Sequence, residues 1–116
     1  MSMQQREAID ELLKDGTDDW VSLDEVIWYA RQVAGSGPGA GLGGIVGAVV
    51  FELVDRGLML PGILGVGGFE AWSGSPQDLV ARVIEACRLS DWSPMGAGCW
   101  FANTPAGDQA AAEATQ

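Results

Sequence analysis

Between Leu42 and Arg56 the chain reads "LGGIVGAVVFELVDR", and this segment restricts the fold more than any other. Ile45, Val46, Val49, Val50, Leu53 and Val54 recur at helical spacing, and no charge interrupts them before Glu52. A helix that is apolar nearly all round has no side to give to water, so it is expected to be the most buried element. Gly57 follows where a left-handed residue commonly ends a helix. Glu52, Asp55 and Arg56 fall inside the apolar region that runs on to Leu64, which makes it core rather than a membrane span.

The rest of the chain must supply the cover. Residues 3–15 are predicted as a first helix with Ala8, Ile9, Leu12 and Leu13 on one stripe and Gly16 as its stop. In the second helix Ser22 and Glu25 form a capping box, Val21 and Val26 occupy staple positions, and the inner face runs from Leu23 to about Gln32 or Val33. After the third helix, "LML" and "GFEAW" flank "PGILGVGG" as two strands joined by a glycine-rich hairpin. Ser75 as N-cap, Pro76 at N1 and Asp78 in the first turn open a fourth helix striped by Leu79, Val80, Val83, Ile84 and Cys87. "CWFA" is read as a last strand and the alanine-rich end as a frayed tail. The expected architecture is α+β, a winged-helix-like three-helix core with a two-stranded hairpin and an additional C-terminal helix. A small α+β domain of another connectivity is the rival. One domain is assigned to residues 1–107 and a flexible tail to 108–116.

Ahead of the third helix lies "GSGPGAGLGG", in which Gly39, Gly41 and Gly44 spell a formal G-x-G-x-x-G. A dinucleotide fingerprint needs a strand that delivers the chain into the turn and a helix whose N–H groups meet pyrophosphate. Here "EVIWYARQVA" precedes it and reads as helix, and the sole lysine, Lys14, lies nowhere near it. The stretch is therefore expected to be an interhelical loop that binds no nucleotide.

Composition narrows the chemistry. The chain of 116 residues contains no histidine, which removes histidine bases and histidine metal ligands. Cys87 and Cys99 match no zinc or C-x-x-C spacing, and Cys87 falls on a core stripe. With 16 acidic residues against 6 basic ones, the net charge is −10. That surface repels nucleic acid and anionic lipid and attracts basic partners. The start "MSMQQREAID" lacks the pattern of a secretory signal, so the cytoplasm is the expected location. No cofactor is expected, and the chain is expected not to be an enzyme.

Two features remain. Asp15, Asp18, Asp19, Asp24 and Glu25 crowd one stretch, but "DGTDDWVSLDE" lacks the ligand alternation of a calcium loop, so caps and solvated first-turn charges account for them. The five tryptophans are many for this length. Large aromatics fill small cores, yet they also anchor interfaces. "TDDW", "GFEAW" and "SDW" set carboxylates beside tryptophan, which suits a basic, partly apolar protein. Asp18, Asp19, Trp20, Trp28 and Trp72 are the candidate partner-binding residues. Trp28 and Tyr29 stand about 100° apart on a helix, so at most one of them is centrally buried.

"DWVSLDEVIWYARQ", "VVFELVDRGLMLPG", "GFEAWSGSP" and "CWFANTPAG" together resemble a group of small bacterial proteins of uncharacterised function. The shared order is a W-x-x-L-x-E-V-x-W helix, a helix ending in L-x-x-x-G-L, a wing closing on tryptophan, and W-x-x-N-T-P-x-G, over most of residues 19–107. The chain is also loosely similar to acidic immunity proteins that neutralise bacterial toxins. These resemblances imply a non-enzymatic interaction domain, with immunity or antitoxin inhibition of a basic partner as its sharpest form. The alternative is a winged-helix-like homodimeric regulator, pairing through the third helix without autonomous DNA binding, since that helix offers Arg56 as its only cation.

Overall fold

The third helix, α3 (Leu42–Asp55), sits among three others rather than alone at the centre. In the computed structural model, which describes residues 3–34 and 41–114, it packs against α1 (Met3–Asp18), α2 (Leu23–Ala34), α4 (Pro76–Leu89) and strand β2 (Met59–Gly65). Val46, Val49, Val50 and Leu53 are buried, but α1 and α2 each bury four residues as well. Gly44 and Ala48 face solvent. The expected most-buried helix is thus one of three equals. Glycine and alanine add no polarity to a helix face, yet they bury so little area that exposing them costs almost nothing.

The sheet is mixed into this helical layer. Strands β1 (Val21–Ser22), β2, β3 (Gly68–Ala71) and β4 (Trp100–Asn103) form one antiparallel sheet in the order β1-β4-β2-β3. Helix α5 (Pro105–Ala114) completes an α+β fold of five helices and four strands among the described residues. Val21, Phe101 and Pro61 lie side by side across β1, β4 and β2, and all three are buried. Phe101 is the largest fully buried side chain of the core.

Local signals act as the sequence predicts at several ends. The Glu25 N–H donates to Ser22 Oγ at 3.2 Å, and the Asp78 N–H to Ser75 Oγ at 3.1 Å, so both helices begin on serine caps. At the end of α3, Gly57 has φ +68. Its N–H donates to the Val54 carbonyl at 3.0 Å, while Leu58 N–H reaches the Leu53 carbonyl at 2.8 Å. This pair of bonds is a Schellman motif, closed by a buried Leu58. The hairpin is tighter than expected. Val66 and Gly67 alone form the turn between the paired Gly65 and Gly68. The ladder ends at Gly62 and Ala71, because Pro61 has no N–H to offer the next residue.

Three expectations need correction. Gly16 does not stop α1, which runs on to Asp18. A methyl group at Gly16 would collide with the Asn103 carboxamide, so this glycine allows close approach. Residues 108–114 of the expected tail belong to α5, which packs on α1 and buries Ala111. Thr104 caps that helix, accepting the Gly107 N–H on Oγ1 at 3.1 Å, and Pro105 takes N1. Gly107 again marks close approach, here against the Leu58 backbone. Finally, β1 pairs with β4, so the hairpin is only half of the sheet. The glycine stretch Gly35–Ala40 lies outside the described residues. The chain enters it from helix α2 and leaves it into α3, without the strand that a dinucleotide fingerprint requires.

The Gly16 contact gives an unusual expectation. Gly→Ala inside a helix ordinarily stabilises by about 0.5–1 kcal/mol, whereas Gly16→Ala is expected to destabilise by about 1–3 kcal/mol through overpacking on Asn103. In a double-mutant cycle with Asn103→Ala, denaturant melts should show the two changes costing less together than their sum. Strict additivity would show that the two residues do not press on each other.

Candidate functional site

Asp18, Asp19 and Trp20 stand together where α1 ends and β1 begins. All three are exposed, Trp20 at 42%. Asp19 Oδ1 accepts the Trp20 backbone N–H at 2.8 Å, which fixes the link as it leaves the helix. The Trp20 ring stacks on Phe69 of β3, with centroids 6.4 Å apart and planes 29° from parallel. A methyl group added at Gly68 would meet the same ring at van der Waals distance. The hairpin end therefore backs the tryptophan and holds it at the surface.

Beside that ring is a concavity of about 310 Å³, lined by the link from Gly16 to Trp20 together with Ala102, Asn103 and Asp108. Three carboxylates, Asp18, Asp19 and Asp108, border it, and none of its lining residues is lysine or arginine. Asn103 organises the floor. Its Nδ2 donates to the Leu13 carbonyl at 2.8 Å and to Asp108 Oδ1 at 3.0 Å, while its Oδ1 is buried without a hydrogen-bond partner among the described residues.

The other two candidates lie elsewhere. Trp28 is 55% exposed on α2 and packs edge-on against Tyr29 at 4.9 Å. It lines a separate groove with Ala8 and Glu11 of α1 and Gln32 and Val33 of α2. Tyr29 takes the inner position and packs on the core, as the angular spacing of the pair requires. Trp72 is half-buried against the core, and the Arg82 guanidinium lies 3.9 Å from its ring centroid. One face of Trp72 is already covered. Phe69, Asn103 and Asp108 were not singled out from the sequence. The alternation in "GFEAW" and the Thr-Pro helix start before Asp108 are the signals that could have placed them.

The remaining acidic residues of this region serve the fold. Asp24 accepts the backbone N–H groups of Met95 and Gly96 at 2.8 and 2.7 Å, pinning a loop in which Asp91, Trp92 and Met95 have positive φ. Asp15 accepts the Tyr29 hydroxyl at 3.0 Å and meets the Glu25 carboxyl. Burial raises the Glu25 pKa to about 7, helped by the hydrogen bond and negative charge of Asp15 and then by the charge of Asp19. The capping box is therefore half-made, with the Glu25 side chain turned to Asp15. Burial, followed by Asp15, also lifts Tyr29 to about 12. Cys87 and Cys99 are free, fully buried thiols pushed by burial to about 11 and about 12, far from the thiolate range that reactive cysteines use. Among the described residues, no group of three or more acidic or cysteine side chains is placed to hold a metal ion, and no helix is long and apolar enough to cross a membrane.

The Glu25 shift has a sign. A carboxyl raised from 4.5 in the unfolded chain to about 7 in the fold favours folding most below 4.5, and that contribution is lost as pH rises through 7. Glu25→Gln keeps a neutral side chain at every pH. Its melting temperature should accordingly fall less than that of the wild type between pH 5 and pH 8.5, and exceed it at pH 8.5; parallel curves for the two proteins would contradict the shift. Compared with known proteins, the chain matches no family model, no curated sequence and no solved structure.

Proposed function

We propose that this chain is a non-enzymatic, acidic protein-interaction domain that engages a basic partner through the Asp18–Asp19–Trp20 surface. The observation that carries the reading is an exposed tryptophan, backed by Phe69, beside a concavity whose described lining includes three carboxylates and no lysine or arginine. An aromatic anchor with rim charges is the arrangement in which affinity concentrates in the ring and steering in the charges. With a net charge of −10, the whole molecule reinforces that steering. Inhibition of a basic toxin, as an immunity or antitoxin protein in the cytoplasm, is the sharpest form of this proposal. Trp28 offers a second, separate contact in its own groove; Trp72, under Arg82, is the weakest of the five candidates.

The scaffold is read as winged-helix-like because three helices precede a hairpin and a fourth helix follows it. Nucleic acid has no place in the reading. On α3 and its cap, Arg56 is the only cation, and it reaches Glu52 at 3.5 Å. A homodimer built on α3 is disfavoured too, because Val46, Val49, Val50 and Leu53 are spent inside this chain's own core.

The test starts from affinity capture with the purified chain in a lysate of its native host, followed by binding kinetics with the partner identified. Association should be fast at low salt and slow markedly as salt rises, since exposed charges are screened beyond about 8–10 Å at physiological ionic strength. Asp18→Asn with Asp19→Asn should lower the on-rate more than it raises the off-rate. Trp20→Ala should act on the off-rate, with a loss of about 2 kcal/mol and a nearly unchanged melting temperature. Salt-independent association, or no partner captured, would leave a purely structural domain as the better account.

A further inference from the structure

Four large apolar side chains exposed by this fold gather at one place. Ile63 (43% exposed), Leu64 (41%) and Val66 (110%) lie on the β2–β3 hairpin, and Trp20 leans against its end. The hairpin also carries an open edge. β3 is the last strand of the sheet, and its ladder partner is β2. Trp72 N–H donates to the Pro61 carbonyl at 2.9 Å, so position 72 faces β2. Backbone groups alternate along an antiparallel ladder, and the N–H and C=O of Phe69 and Ala71 therefore point outward. Such a row is a template for another strand.

The side chains say what kind of strand. Phe69 opposes Leu64 and stacks on Trp20, giving an apolar face, while Glu70 opposes Ile63 on the other. Asp18 and Asp19 adjoin Trp20. A strand laid along β3 with apolar residues on the Phe69 face and cations on the Glu70 face matches this alternation, and Asp18 and Asp19, beside Trp20 on the Phe69 side, attract such a strand by their charge rather than by pairing with those cations. A second copy of this chain does not match, because it would bring another −10 of charge and a further Glu70 to the same edge.

We infer that the basic partner is bound by strand addition, an extended segment of alternating apolar and basic residues pairing with Phe69 and Ala71 as a fifth strand. This rests on the acidic-surface reading above and specifies how that surface is used.

The probe is a synthetic hexapeptide of alternating valine and lysine, titrated into the full chain at low salt. Its comparators are the same peptide with glutamate in place of lysine, and two lysine peptides N-methylated along one or the other edge. Strand addition expects the lysine peptide to bind, and one N-methylated form to bind about tenfold more weakly, the size of one or two lost hydrogen bonds. The Phe69 and Ala71 amides should become protected from hydrogen exchange. Ala71→Pro, which removes an outward donor and no hairpin bond, should weaken binding similarly at an unchanged melting temperature. Equal binding of both N-methylated forms, unprotected amides, or no binding of the lysine peptide overturns strand addition. Glutamate and lysine peptides binding alike would instead overturn the acidic-surface reading, so the two failures are told apart.

Discussion

Thr104 and its neighbour Asn103 hold together elements that would otherwise meet only through side chains. The Thr104 N–H donates to the Leu58 carbonyl at 3.0 Å, and its hydroxyl reaches the Gly57 and Leu58 carbonyls just past the end of α3. The same hydroxyl accepts the Gly107 N–H and starts α5. One residue earlier, Asn103 binds the Leu13 carbonyl of α1 and the Asp108 carboxylate of α5. Two consecutive side chains therefore tie α1, the α3 cap, β4 and α5 at one point. Each bond contributes only about 1 kcal/mol net, but most of them satisfy backbone carbonyls, which are expensive to leave unpaired when buried. The acidic concavity takes its floor from this junction, so the candidate site depends on it geometrically.

That dependence explains which parts of the fold were legible. Signals confined to a few adjacent residues were read correctly: the Ser22 and Ser75 caps, Pro76 at N1 and Gly57 after α3. Signals that depend on a distant partner were misread. Gly16 resembles a helix stop in one dimension, and only the arrival of Asn103 from β4, 87 residues later, shows why a side chain is excluded there. The alanine-rich end resembles a tail because its moment is weak, yet small residues are what let α5 lie close on α1. The Thr-Pro pair before it carried the same start signal as Ser75–Pro76. A two-residue strand such as β1 has no periodicity at all, so nothing in "WVSL" could reveal its pairing with β4.

The acidic residues show the same division between local and distant causes. Composition records 16 of them without separating their roles. In the fold, Asp24 is held by two loop amides, Asp78 sits in the first turn of α4, and Asp15 is shared by Tyr29 and Glu25. These charges stabilise particular turns. Asp18 and Asp19 differ, because among the described residues neither forms a salt bridge and both stay exposed next to an aromatic ring. Of the five candidate residues, the three adjacent in sequence form one surface, whereas Trp28 and Trp72 were grouped with them by residue type alone.

Keeping negative charge at the Trp20 surface has a physical cost, and the structure lowers it in a specific way. Asp15, Asp19 and Glu25 are close enough that three full charges would repel one another and loosen the α1–α2 junction. Burial and hydrogen bonding let Glu25 hold its proton to about pH 7, so the repulsion is relieved at the inner member of the group. Charge is thus removed at Glu25, where it would disturb packing. Asp19 belongs to both sets, because its charge acts on Glu25 and it also borders the Trp20 concavity, so of the two carboxylates proposed to steer a partner Asp18 is the more separable from the stability of this junction.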